Sequence, residues 1–397
     1  MSGLNPPLTI GIEEEYLIVD PETRDVVVDP PDGMMRECEA LVDTEMGAVV
    51  PEFLRAQIEV GTAVCGTVAE ARDKLRDLRR CVARATNSYG LAPIAASTHP
   101  FAVWHRQIPT DKERYHVLAR DMQAVAHRLL ICGMHVHVGF DDDELRVDLM
   151  NQAVYFLPHI LVLSTSSPFW QGIKTGLMSY RISVFDELPR TGLPERFDSF
   201  REYCRHLDAL TEAGLIEDAS KIWWDIRPHA RFPTIEMRIA DVCTRLDDGI
   251  TVAAMFLCVL SALLRLRRNN QRWREYSNML INENRWRAQR YGFSQGLVDF
   301  GKGQIVPYPD LLEELIELVR LDAQEHACLA EIENARNILA RGTSAHRQIA
   351  IYDEAIAEGA DEPTALSRVV DWLIAETVAG IDAGPGLSPR DDQHVTA

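Results

Sequence analysis

The sequence has no closely spaced pair of cysteines. Its eight cysteines, at 38, 65, 81, 132, 204, 243, 258 and 328, stand singly, which excludes a C-x-x-C zinc site and a dense disulfide framework and fits reduced thiols. Long hydrophobic runs are missing too. The longest, Ile250 to Leu264, is closed by "RLRR" and falls short of the roughly 20 residues that cross a bilayer, so it reads as a buried helix and no membrane partner is expected. Positive charge is scarce: 41 Lys and Arg stand against 60 Asp and Glu, for a net charge of -19. That balance argues against general affinity for nucleic acid, and an anionic substrate would need locally placed cations or metal. The N-terminal "MSGLNPPLTI" lacks the basic and apolar segments of a secretory signal, so a disordered lead over residues 1–8 and a cytoplasmic protein are expected.

What is present is enough hydrophobic sequence, 46% of 397 residues, for a large core. Thr67 with Glu70 and Thr110 with Glu113 have the spacing of capping boxes. Each precedes apolar residues at helical intervals, Val68, Ala71, Leu75, Leu78 and Val82 in one case and Leu118, Met122, Val125 and Leu129 in the other. Further helices are predicted near 144–164, 197–213, 249–267 and 271–290. From Asp310 the pattern is almost wholly helical with a break at Gly342. The ending "AGPGLSPRDDQHVTA" reads as a disordered tail over 383–397. Strands come early and mid-chain without regular alternation with helices. The expectation is therefore α+β: a mostly antiparallel sheet within a catalytic domain over 9–305, helices on its outer face, and a helical C-terminal part over 306–382.

In "TIGIEEEYLIV", strand alternation places Glu13 and Glu15 on one face, and Glu14 with Ile10, Ile12 and Tyr16 on the other. Three further segments repeat the arrangement. "ICGMHVHVGF" sets His135 and His137 opposite an apolar face, "TIEMRIAD" does so with Glu236 and Arg238, and "PEFLRAQIEVGT" with Gln57 and Glu59. Taken singly, each strand could be a solvated amphipathic face. Together they suggest one sheet with a helix-covered back and a polar front. Carboxylates favour Mg²⁺ or Mn²⁺, and an added imidazole keeps Mn²⁺ or Zn²⁺ in play. Acids and an arginine around divalent ions suit phosphoryl transfer, where they neutralise the moving phosphate.

Other segments are less specific. "GLVDFGKG" matches a phosphate loop except that Gly303 stands where Ser or Thr would hold Mg²⁺, so it reads as a connector. "SPFWQGIKTGLMSYRISVFDELPRTGLP" reads as a substrate-side loop, with Arg181 the candidate for gripping a substrate carboxylate. In "WWDIRPHARF", Arg227, His229 and Arg231 could reach nucleotide phosphates or cover neighbouring acids. "ENRWRAQRYGF" reads as a helix-face ion network.

Six ordered segments, "GIEEEYLIVD", "STHPFAVWHRQIPTDKERY", "ICGMHVHVGF", "SPFWQGIKTG", "DIRPHARFPTIEMRIAD" and "ENRWRAQRYGF", resemble those of the carboxylate-amine ligases grouped as glutamate-cysteine ligase type 2. The resemblance spans about Thr9 to Gly292. It implies a glutamine synthetase-like funnel, a curved antiparallel sheet with divalent metals on its inner face. By motif position it implies Glu13, Glu15, Glu59, His135 and Glu236 as metal ligands and Arg238 on the phosphates, with Glu236 and Arg238 serving catalysis. Arg227 and Arg231 would assist the nucleotide; His137 is open between supporting a ligand and touching substrate. The implied cofactors are ATP and Mg²⁺, with Mn²⁺ possible. The implied reaction joins a small-molecule carboxylate to an amine through an acyl phosphate, with glutamate a plausible acid and cysteine an open amine. A metal-dependent hydrolase using the H-x-H pair and a non-catalytic nucleotide-binding relative are the alternatives. The C-terminal helices could support a homodimer.

Overall fold

The computed structural model describes residues 8–381, so the expected lead, apart from Leu8, and the expected tail lie outside the described residues. Its main sheet has seven strands: β1 (Ile10–Val19), β2 (Gly47–Pro51), β3 (Gln57–Thr62), β4 (Ala92–Ile94), β5 (Met134–Gly139), β6 (Ile226–Pro228) and β7 (Thr234–Met237). They run in the order β6-β7-β5-β1-β3-β2, with β4 also on β1, and every pairing is antiparallel. Eight helices bear on the site and its surroundings: α1 (Val68–Ser88), α2 (Glu113–Met122), α3 (Tyr180–Phe185), α4 (Leu246–Arg268), α5 (Tyr308–Glu325), α6 (Leu329–Arg341), α7 (Ser344–Ala357) and α8 (Glu362–Thr377). The mixed fold with an antiparallel sheet matches the expectation from sequence.

The alternation read from sequence sorts the two faces of the sheet. Ile10, Ile12, Ile58, Val60, Met134, Val136, Val138, Ile235 and Met237 are buried, and α1 packs against β1 and β3 while α4 packs against β5. Helix α4 is long and apolar enough to pass for a membrane span, yet it is buried from Asp248 to Leu264. Helices α5 and α6 cover its other side, which makes it the core helix that the "RLRR" terminus suggested.

The middle glutamate of the EEE run lies behind the sheet. Glu14 is 0% exposed, and its oxygens accept from Arg79 Nε at 2.7 Å and Nη2 at 2.8 Å and from the Tyr16 hydroxyl at 2.5 Å. A buried carboxylate requires such partners.

The two capping boxes fare differently. Thr67 caps α1 by accepting from the Glu70 amide at 3.1 Å, while the Glu70 carboxylate reaches back to the Gly66 amide. The Thr110 box does not form. Helix α2 begins after Lys112 without a side-chain cap, because the Thr110 hydroxyl is drawn to the Glu52 carbonyl at 2.6 Å. The segment near the G-x-x-x-x-G-K match is a small hairpin, Leu297–Asp299 with Gln304–Val306. Past Gly342, at φ +87°, the chain turns from α6 into α7.

Candidate active site

Strand register assembles the front face. Glu13 stands opposite His135 on β5 and Gly61 on β3, Glu15 opposite Glu59, and His137 opposite both Gly11 on β1 and Glu236 on β7. Glu236 in turn faces Arg227 on β6. Five strands therefore converge their polar side chains on one surface, flanked by Gly11 and Gly61, whose missing side chains leave the face open.

Two groups have the chemistry of cation sites. Glu13, His137 and Glu236 offer ligand atoms within 4.8 Å of one another, as do Glu15, Glu52 and Glu59. His137 Nδ1 lies 3.2 Å from the Thr234 hydroxyl, and its buried Nε2 has no hydrogen-bond partner. A buried nitrogen aimed at two carboxylates is what a metal would satisfy. The oxygen-rich sets suit Mg²⁺ or Mn²⁺.

Electrostatics separates the two groups. Burial opposes the charge on Glu13, but the adjoining His135 and His137 rings outweigh it and hold the carboxyl well below its ordinary range. Burial likewise opposes Glu236, and Arg238, then Arg227, hold it low. In the second group burial prevails and the acids repel one another. Glu15 is pushed up to about 7, chiefly by burial and then by Glu52, and Glu59 is raised by burial and by Glu13, Glu52 and Glu15. Three crowded acids that resist ionisation are a site in need of a cation. Arg238 acts electrostatically on members of both groups.

Several expected roles change. His135, expected as a ligand, lies outside both groups: its Nδ1 is 2.9 Å from Glu13 and its Nε2 4.0 Å from Glu15. Burial, then the charge on Arg238, lowers its pKa to about 4, leaving a neutral ring. The strand register puts His137, instead, beside Glu236. Arg227, expected on phosphates, is already committed: it donates from Nε to Glu236 at 2.7 Å and from Nη1 to the Ile222 carbonyl. Arg231 is exposed in the β6–β7 loop. Arg181, expected in a substrate-side loop, is 2% exposed in α3 and donates to the carbonyls of Ile239 and Arg238 at 3.3 and 3.1 Å. It lies over Gly133, where a Cβ would come within 2.4 Å of its Nη2, and it acts electrostatically on Glu15, whose carboxylate accepts from the Gly133 amide.

Glu52 is the residue that sequence reasoning missed. It follows β2 at the turn into β3, where its amide donates to the Gln57 carbonyl. Tyr115 of α2 donates its hydroxyl to Glu52 at 3.0 Å and is itself 5% exposed, edge-on to Phe53.

Beside the Glu13, His137 and Glu236 group opens a cavity of about 520 Å³, lined by Ile10, Ile12, Val64, Phe140, Phe232 and Thr234 among others. Phe232 is 57% exposed and stacks on His229, which meets His137 edge-on. An apolar cavity adjoining an acidic, metal-suited set can take a flat ring at one end and charged groups at the other.

Comparison with known proteins gives the family. The sequence model described as Glutamate-cysteine ligase family 2 (GCS2) matches residues 9–366. The chain is 62% identical over 385 residues to a Rhodospirillum rubrum protein named "Putative glutamate--cysteine ligase 2", covering 96% of this chain and 99% of that one. A Jannaschia protein of the same name is 54% identical, with 93% and 96% covered. Among solved structures, the fold resembles a Francisella tularensis glutamate-cysteine ligase in complex with AMP, with a TM-score of 0.69, 14% identity, and 96% and 91% of the two chains covered. It also resembles a bifunctional glutathione synthetase from Pasteurella multocida, with a TM-score of 0.65, 13% identity, and 94% and 53% covered. The chain belongs to glutamate-cysteine ligase family 2 and, with it, to the ATP-dependent carbon-nitrogen ligases.

Proposed function

We propose that this protein joins a small carboxylic acid to an amine at the expense of ATP, by way of an acyl phosphate. The observation that carries the reading is the pair of three-membered ligand sets on one sheet face, with Arg238 acting on both. Carboxylate and triphosphate repel each other, and a surface that holds two cations and an arginine between them removes that barrier. Glu13, His137 and Glu236 would hold the ion nearer the apolar cavity, where the nucleotide base fits, and Glu15, Glu52 and Glu59 the ion nearer the acid. Bound divalent metal supplies charge neutralisation of the phosphates.

The chain's own residues position this chemistry. Arg227 fixes the Glu236 carboxylate, Tyr115 fixes Glu52, and His135 orients Glu13 by its hydrogen bond. In the first half-reaction an oxygen of the substrate carboxylate bonds to the γ-phosphorus and the bond to the leaving ADP breaks. In the second the amine nitrogen bonds to the acyl carbon and phosphate departs. Glutamate is the acid we propose, from the family, and cysteine is the first amine to test. Phosphate release from Mg-ATP, with glutamate fixed and a panel of amines followed by product mass, tests the reading. A γ-glutamyl amide formed in step with phosphate supports it; ATP turnover that yields no amide with any amine in the panel overturns it.

A further inference from the structure

The loop between β6 and β7 is short and braced. The His229 amide donates to the Thr234 carbonyl at 3.0 Å and the Thr234 amide to the Phe232 carbonyl at 2.7 Å. His229 Nδ1 accepts from the amides of Arg231 and Phe232 at 3.2 and 3.0 Å. Nδ1 therefore carries no proton, and the imidazole closes the turn as an Asx side chain would. A loop tied at both ends and through its own side chain presents its remaining side chains in fixed directions.

What this loop presents to the cavity is an aromatic ring. Phe232 lines the cavity beside the Glu13, His137 and Glu236 group and stays more than half exposed, unlike the buried phenylalanines of the core. One face of the ring is covered: the His229 imidazole lies parallel to it, 4.7 Å between centroids and 9° between planes. The opposite face is left for a second flat ring. Among the described residues that line the cavity there is no lysine, arginine, asparagine or glutamine, so stacking is the main grip these walls offer a base. The same imidazole meets His137 edge-on, at 5.2 Å and 75°, and His137 carries the unpartnered Nε2, 3.3 Å from Glu13. One residue thus backs both the exposed ring and the cation-suited set.

We propose that Phe232 is the stacking platform for the nucleotide base and that His229 is the positioning residue that fixes both Phe232 and His137. The inference rests on the ATP-dependent reading above and names the side chains that hold the base. The test is calorimetric titration of the full chain in Mg²⁺, with a non-hydrolysable ATP analogue in one arm and inorganic tripolyphosphate, which has no base, in the other. The variants are Phe232→Ala, Phe232→Trp and His229→Asn, whose carboxamide oxygen still offers the loop amides an acceptor; thermal unfolding verifies that each folds. The native protein should bind the analogue at least about tenfold tighter than tripolyphosphate; Phe232→Ala should lose about tenfold for the analogue alone, and Phe232→Trp should retain native affinity. His229→Asn should lose affinity for both ligands, because the platform and His137 lose their common support. Analogue affinity unchanged in Phe232→Ala, or an equal loss of both ligands there, overturns the role of Phe232. Tripolyphosphate affinity unchanged in His229→Asn overturns that of His229. A native protein that binds both ligands equally overturns the proposal alone, whereas one that binds neither overturns the ATP-dependent reading with it.

Discussion

Arg79 and Glu14 face each other across a two-point ion pair sealed behind the sheet, with side-chain exposures of 1% and 0%. The pair occupies the back of the same strand whose front carries Glu13 and Glu15, so one EEE run serves packing on one side and the site on the other. Arg79 also donates to the carbonyls of Cys243 and Thr244, which binds β1 to the segment entering α4.

Removing one partner leaves a buried, uncompensated charge. Glu14→Gln should lower unfolding free energy by about 3–5 kcal/mol, read from urea denaturation, with Mn²⁺ affinity of the folded protein unchanged. The double replacement Glu14→Leu with Arg79→Met should regain part of that loss but not all, because the two carbonyls lose their donor.

Glu236→Gln should cut the rate of phosphate release by about 10²–10³ while ATP still binds, since the residue acts on charge that develops during transfer. Loss of ATP binding alone, with turnover intact at saturation, would speak for a role in ground-state binding.

Tyr115 holds Glu52 by one hydroxyl. Tyr115→Phe keeps the ring packed on Phe53 and should weaken metal affinity by about 10–100-fold, as removal of a group that orients a ligand does. Melting temperature should stay near that of the native protein, which separates positioning from folding.

The "STHPF" segment has a structural explanation with a pH signature. His99 Nδ1 accepts from the amides of Phe101 and Ala102 at 3.2 and 2.9 Å, and Nε2 lies 2.8 Å from the Arg24 carbonyl. Only the neutral ring with its proton on Nε2 meets all three, and burial lowers its pKa to about 3. An unfolded histidine titrates near 6.5 and so binds a proton first as pH falls; the His99 contribution is intact above about 6.5 and declines from there towards about 3. Between pH 7 and 5 the native protein should lose about 2 kcal/mol that a His99→Gln variant does not lose, measured by urea titration at each pH.

Much of the site was legible because period-2 alternation is local. It set Glu13, Glu15, Glu59, Glu236 and Arg238 on one face from their own segments alone. Glu52 was not legible, since it lies past Pro51 in the turn where alternation stops. Which histidine meets Glu236 depends on how β5 registers against β7, and that pairing of His137 with Glu236 is written in no single segment. The placement of Arg181 depends on space over Gly133, just before β5. The cap expected at Thr110 failed for the same kind of reason, a distant carbonyl at Glu52.

Counting bound Mn²⁺ by paramagnetic resonance, in the presence of a non-hydrolysable ATP analogue, tests the central claim of two ligand sets on one face. The native protein should bind two ions, His137→Ala and Glu52→Ala should each keep one, and the double variant none. A single ion in the native protein, or both ions lost together in either single variant, would contradict it.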